Sequence, residues 1–333
     1  MARLFRACAK NTRVILLGDP DQLASVEAGS VLADICGDAR DLPSTPDYTD
    51  SAAAATDQPL QPVQESNPLG DCVVRLDLSH RVKLGPNGGS RDSLNAKAIM
   101  NLAGHINAGD AGAALACMEH QDYINLTRDD LPSPYNLTAH LLPNVREVFK
   151  KAIEADGPKE ALKEWESYRV LTAMRRGPFG APRLNQQLEC ALLEEGGRAS
   201  GEWYHGRPVI ITRNNYPTRL FNGDLGIAWE ENSRLNIYFL NARGELRPIN
   251  PGRLPAHESA YALTVHKAQG SEFDRVRVML PSQMAPVLTR ELVYTGITRA
   301  RSEVALMAPK EILAAAIEVK TSRASGLRDA LWC

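Results

Sequence analysis

Thr264-Val265-His266-Lys267-Ala268-Gln269-Gly270-Ser271-Glu272-Phe273 is the stretch on which the fold turns. An apolar run, Ala260–Val265, leads into it, and a second, Val276–Leu280, leads out. Both read as strands. Between them stand polar groups and a glycine, with a carboxylate two residues after the glycine. Gly270 permits close approach of backbone to a ligand. Glu272 can accept a hydrogen bond from a sugar hydroxyl. Thr264, His266 and Lys267 suit a phosphodiester backbone. The plain alternative is a strand-to-helix turn capped by Ser271.

Moving outward, the spacing predicts a helix over Thr289–Ala300, a strand at Glu303–Met307 and a helix at Lys310–Ile317. Upstream it predicts a strand at Tyr168–Ala173 and a helix at Leu184–Glu195. Strands alternating with helices imply an α/β fold with a mostly parallel sheet covered on both faces. Between Gly201 and Pro255 the character changes. Short β-like runs at Pro208–Thr212, Leu225–Trp229 and Leu235–Leu240 are separated by turn signals at Asn222-Gly223 and Asn241–Gly244. That pattern predicts a small β-barrel-like insert. Leu94, Ala98, Leu102 and Ile106 recur every four residues, which fits a helix ended by Gly109. Pro143–Trp165 also reads as helical, with a break at Gly157-Pro158.

Near the start, Arg13–Gly18 (RVILLG) reads as a buried parallel strand running into a loop. Such a strand needs neighbours on both sides, and only twelve residues precede it. The chain therefore looks cut near the middle of a domain, with Met1 an internal methionine. Asp41–Gly70, rich in Pro, Ser, Asp, Ala and Gln, reads as a surface insertion or disordered loop. There is no internal repeat.

The 333 residues are enough for two domains. Net charge is −2, so any nucleic-acid contact must come from local groups lining a groove. The six cysteines are scattered, with no C-x-x-C and no Cys/His pairing at metal spacing, which fits a reducing cytoplasm. No apolar run approaches the ~18 residues that span a bilayer. No secretory apolar region follows the start.

Three further polar clusters stand after predicted strands or at helix ends. In open parallel sheets ligands bind outside the carboxyl ends of strands. Gly18-Asp19-Pro20-Asp21-Gln22-Leu23 offers a glutamine whose amide can reach a γ-phosphate or its attacking water, or simply a turn. Ser79-His80-Arg81 offers an arginine that can steady a transferring phosphoryl group, or a solvated surface cation. Tyr294-Thr295-Gly296-Ile297-Thr298-Arg299-Ala300-Arg301 ends a helix. Its arginines are either phosphate sensors or cations complementing the helix dipole.

Taken together, in order, content and spacing, these clusters resemble the motifs of superfamily 1 DNA helicases: GDPDQL, the region of Arg81, TVHKAQGSEF and VYTGITRAR. Within that superfamily the chain resembles RecD, the helicase subunit of exodeoxyribonuclease V (RecBCD). Gln22–Gly29, Arg176–Gly180, Gly206–Ile210 with Leu220–Gly226, and Leu280–Gln283 carry that likeness, which runs from about Met1 to Leu331. It is weakest over Asp41–Gly70 and Met118–Glu164.

The resemblance implies RecA-like (P-loop NTPase) parallel sheets with a small SH3-like insert. Residues 1–75 would finish a first RecA-like domain, with 41–70 as an insert. Residues 76–200 and 256–333 would form the second, and 201–255 the small insert. It implies 5′-to-3′ movement on single-stranded DNA powered by ATP and Mg²⁺, with RecB-like and RecC-like partners acting at duplex ends in double-strand break repair. By motif, Gln22, Arg81 and Arg299 would act on the γ-phosphate, and Asp19, Gly270 and Glu272 would lie at the nucleotide. Thr264, His266 and Lys267 would lie along the DNA. Phe179, Trp203 and Tyr204 are either base-stacking groups or packing residues. The chain holds no G-x-x-x-x-G-K-[ST] and no Asp-Glu pair after a strand, so most of the ATP and metal contact would come from a preceding segment. The expectation is no ATP hydrolysis by this polypeptide alone. A DNA-binding or partner-docking module, and a RecD-like helicase working without RecB and RecC, stand as the other readings.

Overall fold

The computed structural model describes residues 2–23, 31–37, 45–56, 70–74, 91–195, 202–321 and 326–332. The chain divides into two compact units: Met1–His80 with Thr321–Cys333, and Arg81–Lys320. The sequence pattern groups the last residues with the second domain, whereas here they belong with the first.

The first unit contains α1 (Ala2–Ala7), α2 (Val31–Cys36) and α3 (Pro46–Thr56). The run Arg13–Gly18 is not a strand. Ile15 is 71% exposed and Leu17 88%. The expected buried strand fails for want of pairing, since no strand among the described residues hydrogen-bonds to it. Of the two readings of Asp41–Gly70, the disordered loop is corrected within the described part, where Pro46–Thr56 is helical. Thr45 Oγ1 accepts from the Tyr48 amide at 3.3 Å, and Pro46 opens the helix, a favourable first residue. An alanine run then carries it.

The second unit follows in chain order as α4 (Arg91–Ala108), α5 (Ala111–Met118), β1 (Leu126–Asp129), α6 (Leu137–Ile153), α7 (Pro158–Glu164), β2 (Tyr168–Thr172) and α8 (Ala181–Glu195). Next come β3 (Pro208–Ile211), β4 (Leu225–Glu231), β5 (Arg234–Leu240), β6 (Leu246–Ile249), β7 (His257–Ser259) and β8 (Ala262–Thr264). The unit closes with β9 (Phe273–Met279), α9 (Arg290–Ile297), β10 (Ala300–Met307) and α10 (Lys310–Glu318). The last helix of the chain, α11 (Gly326–Trp332), packs against α2 in the first unit.

Strands β1-β10-β9-β2-β8 form a five-stranded sheet, parallel at every pairing. All residues of β2 are buried, so both faces are covered there. This is the α/β parallel-sheet class the sequence implies. Helix α6 begins at Leu137, before the expected start, and carries Pro143 inside it. The cost of an interior proline, about 3 kcal/mol from the lost backbone bond and the ring clash together, is offset by burial of Leu137, Leu141, Leu142, Val145 and Val148. Gly296 lets α9 lie on β9, where an added Cβ would stand 3.1 Å from Val278 Cγ1.

Strands β6-β5-β4-β3-β7 form a separate five-stranded antiparallel sheet. Val209, Ile211, Leu220, Ala228, Ile237 and Phe239 fill its core. The pairing leaves β6 and β7 as edges, so it describes an open sheet. Only Ala260 and Tyr261 separate β7 from β8, which belong to different sheets. Asn185 of α8 clamps that junction. Its amide nitrogen donates to Ser259 O at 2.6 Å and Ala262 O at 3.0 Å, and its oxygen accepts from Ala262 N at 2.6 Å.

Candidate nucleotide-motor site

Thr264 ends β8, and its carbonyl accepts from Ala268 N at 3.1 Å. This turn folds the chain back rather than into a helix. Gly270 completes the reversal at φ +84, a conformation glycine adopts without steric cost. An added Cβ there would meet open space, so the backbone angle alone explains the glycine within this chain. The chain then enters β9 at Phe273. The helix that Ser271 would cap is absent, and a strand follows instead.

The reversal splits the expected cluster. Thr264, His266 and Lys267 stay at the carboxyl edge of β8, whereas Glu272 reaches the amino edge of β9. The expectation that these groups gather beyond the carboxyl ends of strands is therefore corrected for Glu272, Arg299 and Arg301. The physical reason is the parallel pairing, which obliges the chain to return to the starting edge before β9 can begin.

At that amino edge lies a cleft of about 370 Å³ lined by Glu166, Gly270, Ser271, Glu272 and Arg301, with Leu225 of β4 on its far wall. Arg301 Nε lies 3.4 Å from Glu272 Oε2, and its Nη1 lies 3.5 Å from Asp274 and 3.8 Å from Glu166. These side chains are partly exposed, so solvent weakens each pair. Three carboxylates face this one guanidinium, which suits a sugar hydroxyl better than a phosphate.

Arg299 sits deeper, 2% exposed. Its Nε donates to Thr295 O at 3.1 Å, in the last turn of α9, which is the helix-end role the plain alternative describes. Its Nη1 donates to Ser271 O at 3.3 Å and its Nη2 to Thr298 Oγ1 at 3.4 Å. The structure thus brings Arg299 next to Glu272, through the carbonyl of Ser271. Lys267 is committed elsewhere, with its Nζ 2.6 Å from Glu258 Oε2 on β7. The Lys267 amide donates to Thr264 Oγ1 at 3.2 Å.

In the first unit, Asp19 Oδ1 accepts from the Asp21 amide at 3.0 Å, and Asp19 Oδ2 from Gln22 Nε2 at 2.8 Å. Here Asp19 builds a turn and holds the Gln22 amide. Arg81 lies outside the described residues. Of the expected stacking groups, Phe179 is a core residue. Trp203 lies under the Arg207 guanidinium at 4.8 Å. Tyr204 donates to Glu189 Oε1 at 2.6 Å and pairs with the Tyr261 hydroxyl. Burial pushes both tyrosine hydroxyls well above their ordinary value. Glu189 also holds Arg207 Nε at 3.0 Å and accepts from Ser259 Oγ at 3.1 Å. These aromatics are thus packed or hydrogen-bonded at the root of the antiparallel sheet.

Residues 259–307 match the UvrD-like helicase C-terminal domain, and residues 1–45 match an AAA domain. The matched residues, which include β8, Glu272 of the cleft, β9, α9 and β10, are thus similar to a UvrD-like helicase C-terminal domain. The chain is homologous to RecD along nearly all of its own length. It is 36% identical to the RecBCD enzyme subunit RecD of Mycolicibacterium smegmatis, covering 99% of this chain and 51% of that one. It is 34% identical to that of Haemophilus influenzae, covering 98% and 51%. The chain thus spans about half the length of the curated relatives it matches. The ATP-dependent RecD2 DNA helicase of Deinococcus radiodurans is 42% identical over 136 residues, 40% of this chain and 19% of that one. A Bacteroides Pif1 helicase solved with ADP-AlF3 and single-stranded DNA aligns at TM-score 0.36 and 12% identity, covering 68% of this chain and 51% of that one, too loosely to support any inference.

Proposed function

We propose that the chain is the motor portion of an ATP-dependent, 5′-to-3′ DNA helicase subunit of an exodeoxyribonuclease V, acting with RecB-like and RecC-like subunits in recombinational repair of double-strand breaks in the cytoplasm. The observation that carries this is the meeting of two helicase-like motifs at one cleft, where Arg299 is bonded to the carbonyl beside Glu272. Glu272 exchanges its Arg301 partner for a nucleotide sugar hydroxyl. Arg299, fixed by the end of α9, stabilises charge on the terminal phosphate together with Gln22 and Arg81. Gly270 and Asp19 shape the loops that approach the nucleotide. Mg²⁺, if bound with the nucleotide, would supply charge neutralisation at the phosphates. Thr264, His266 and Lys267 run along the DNA backbone at the other edge of the sheet.

The polypeptide by itself binds single-stranded DNA without turning over ATP, because the phosphate loop and metal-holding carboxylates of such motors are not in its sequence. DNA-stimulated hydrolysis by the purified 333-residue chain would overturn the inactivity. Failure to bind single-stranded DNA even at low salt would overturn the motor assignment. The RecD2 match over 136 residues favours a second reading, a helicase that works without RecB and RecC. Co-purification of the chain with RecB-like and RecC-like subunits from its own cells decides against that second reading.

A further inference from the structure

The end of the antiparallel sheet farthest from the β7–β8 junction presents two aromatic rings to solvent. Tyr216 is 74% exposed and Phe221 45%. Their rings stand edge to face, with centroids 6.1 Å apart at 81°. Both lie on the β3–β4 connection, residues 212–224, which reads TRNNYPTRLFNGD.

The connection is tightly tied. Asn215 and Leu220 exchange backbone bonds of 2.8 and 3.1 Å, and Leu220 is buried in the sheet's core. Asn215 Oδ1 accepts from the Thr218 amide at 3.0 Å and from Thr218 Oγ1 at 2.8 Å. Asn214 Oδ1 accepts from Asn222 N at 2.9 Å, and Asp224 Oδ2 from Phe221 N at 2.7 Å. Arg219 takes a positive φ of 49 to close the tip. The polar groups of the loop thus hold two large rings outward. A rigid, solvent-facing aromatic pair loses little conformational freedom when a flat ligand stacks on it.

Charge selects the ligand. Arg213 and Arg219 are exposed on the loop, which carries no acid before Asp224. Arg247 of β6 reaches the same tip, its Nη1 donating to Arg219 O at 3.4 Å. The chain as a whole is negative, and the cleft at Glu272 is acidic, so this end is a local reversal of sign. Rings flanked by guanidiniums and asparagine amides fit stacked bases joined by phosphates.

We propose that this tip is a stacking platform for single-stranded DNA, with Tyr216 and Phe221 taking bases and Arg213, Arg219 and Arg247 taking phosphates. The proposal rests on the DNA-motor assignment above and adds a DNA-binding element apart from Thr264, His266 and Lys267. The test titrates the purified chain with a fluorescein-labelled oligothymidylate at several salt concentrations. Tyr216→Ala with Phe221→Ala weakens binding about tenfold or more at every salt concentration, with the melting temperature unchanged because both rings are exposed. Tyr216→Phe retains binding. Arg213→Ala with Arg219→Ala instead flattens the salt slope, by about 0.7 for each phosphate no longer neutralised. A Tyr216→Trp chain shows indole fluorescence quenched by the oligonucleotide. Wild-type affinity in the double alanine variant overturns the platform, and if Lys267→Ala still weakens binding, the motor assignment stands without it. No binding by the wild-type chain at low salt overturns both. Loss of self-association in the double alanine variant, with DNA affinity intact, gives the patch to a second copy of the chain and overturns the platform.

Discussion

Arg13–Gly18 in the first unit and Phe273–Met279 in the second are both β-type runs, yet they end in opposite environments. Leu17 is 88% exposed, while Val276, Val278 and Met279 are at most 1% exposed. The difference does not lie in side-chain hydrophobicity, since RVILLG is the more apolar of the two. It lies in neighbours: β9 is hydrogen-bonded to β2 on one side and β10 on the other. A buried parallel strand is therefore a property of its sheet rather than of its own residues.

The sharpest way to break that comparison is to place one charge in each run. Val278→Asp buries an unpaired carboxylate and costs more than about 4 kcal/mol, leaving no cooperative unfolding of the second unit in urea. Leu17→Asp changes stability by less than about 0.5 kcal/mol. Equal losses would sink the contrast. A smaller cost comes from the polar root of the antiparallel sheet. Glu189→Ala removes the carboxylate partner of Arg207 while Ser259 and Tyr261 still hold Arg207 and the Tyr204 hydroxyl, and lowers stability by about 2 kcal/mol in the same urea titration. Next is the helix packed over β9. Gly296→Leu forces side-chain atoms onto Val278 and costs about 2 kcal/mol. Gly18→Ala meets only the tip of Leu32, which can move, and costs less than Gly296→Leu.

The smallest effect is a pH dependence. The Tyr204 hydroxyl is raised above its ordinary value of 10.0, chiefly by burial, so the unfolded chain loses this proton at lower pH than the native one. The stabilisation is whole below that value and is lost as pH rises. Between pH 8 and 10.5 it amounts to about 0.8 kcal/mol. Wild type accordingly loses that much more stability than Tyr204→Phe over the interval, measured by urea midpoints.

Most of the second unit was legible from its sequence, because strands such as Tyr168–Thr172 and Phe273–Met279 and helices such as Arg91–Ala108 carry strong apolar patterns. Strands β1 and β7 were not, being four and three residues long with polar side chains that find order only through neighbours. The motif residues stand out in the sequence, but their edge of the sheet does not. Nothing local reveals that the turn after Thr264 brings the chain back to its starting edge. The bond between Arg299 and the Ser271 carbonyl spans 28 residues and has no local signature. Tyr216 and Phe221 do leave a signal, two aromatics beside two arginines in an acid-free stretch, though Trp203 and Tyr204 draw the eye first. In the first unit the apolar run misleads because its pairing partners lie nowhere among the described residues.

The two-residue step from β7 to β8, nailed by Asn185, acts as a stiff hinge pin between two sheets. A force applied at the Tyr216 tip is delivered with little slack to the strand that ends in Thr264. At this junction the two sheets are joined by two residues and three Asn185 bonds, so a tug on β7 reaches β8 through a short, braced step.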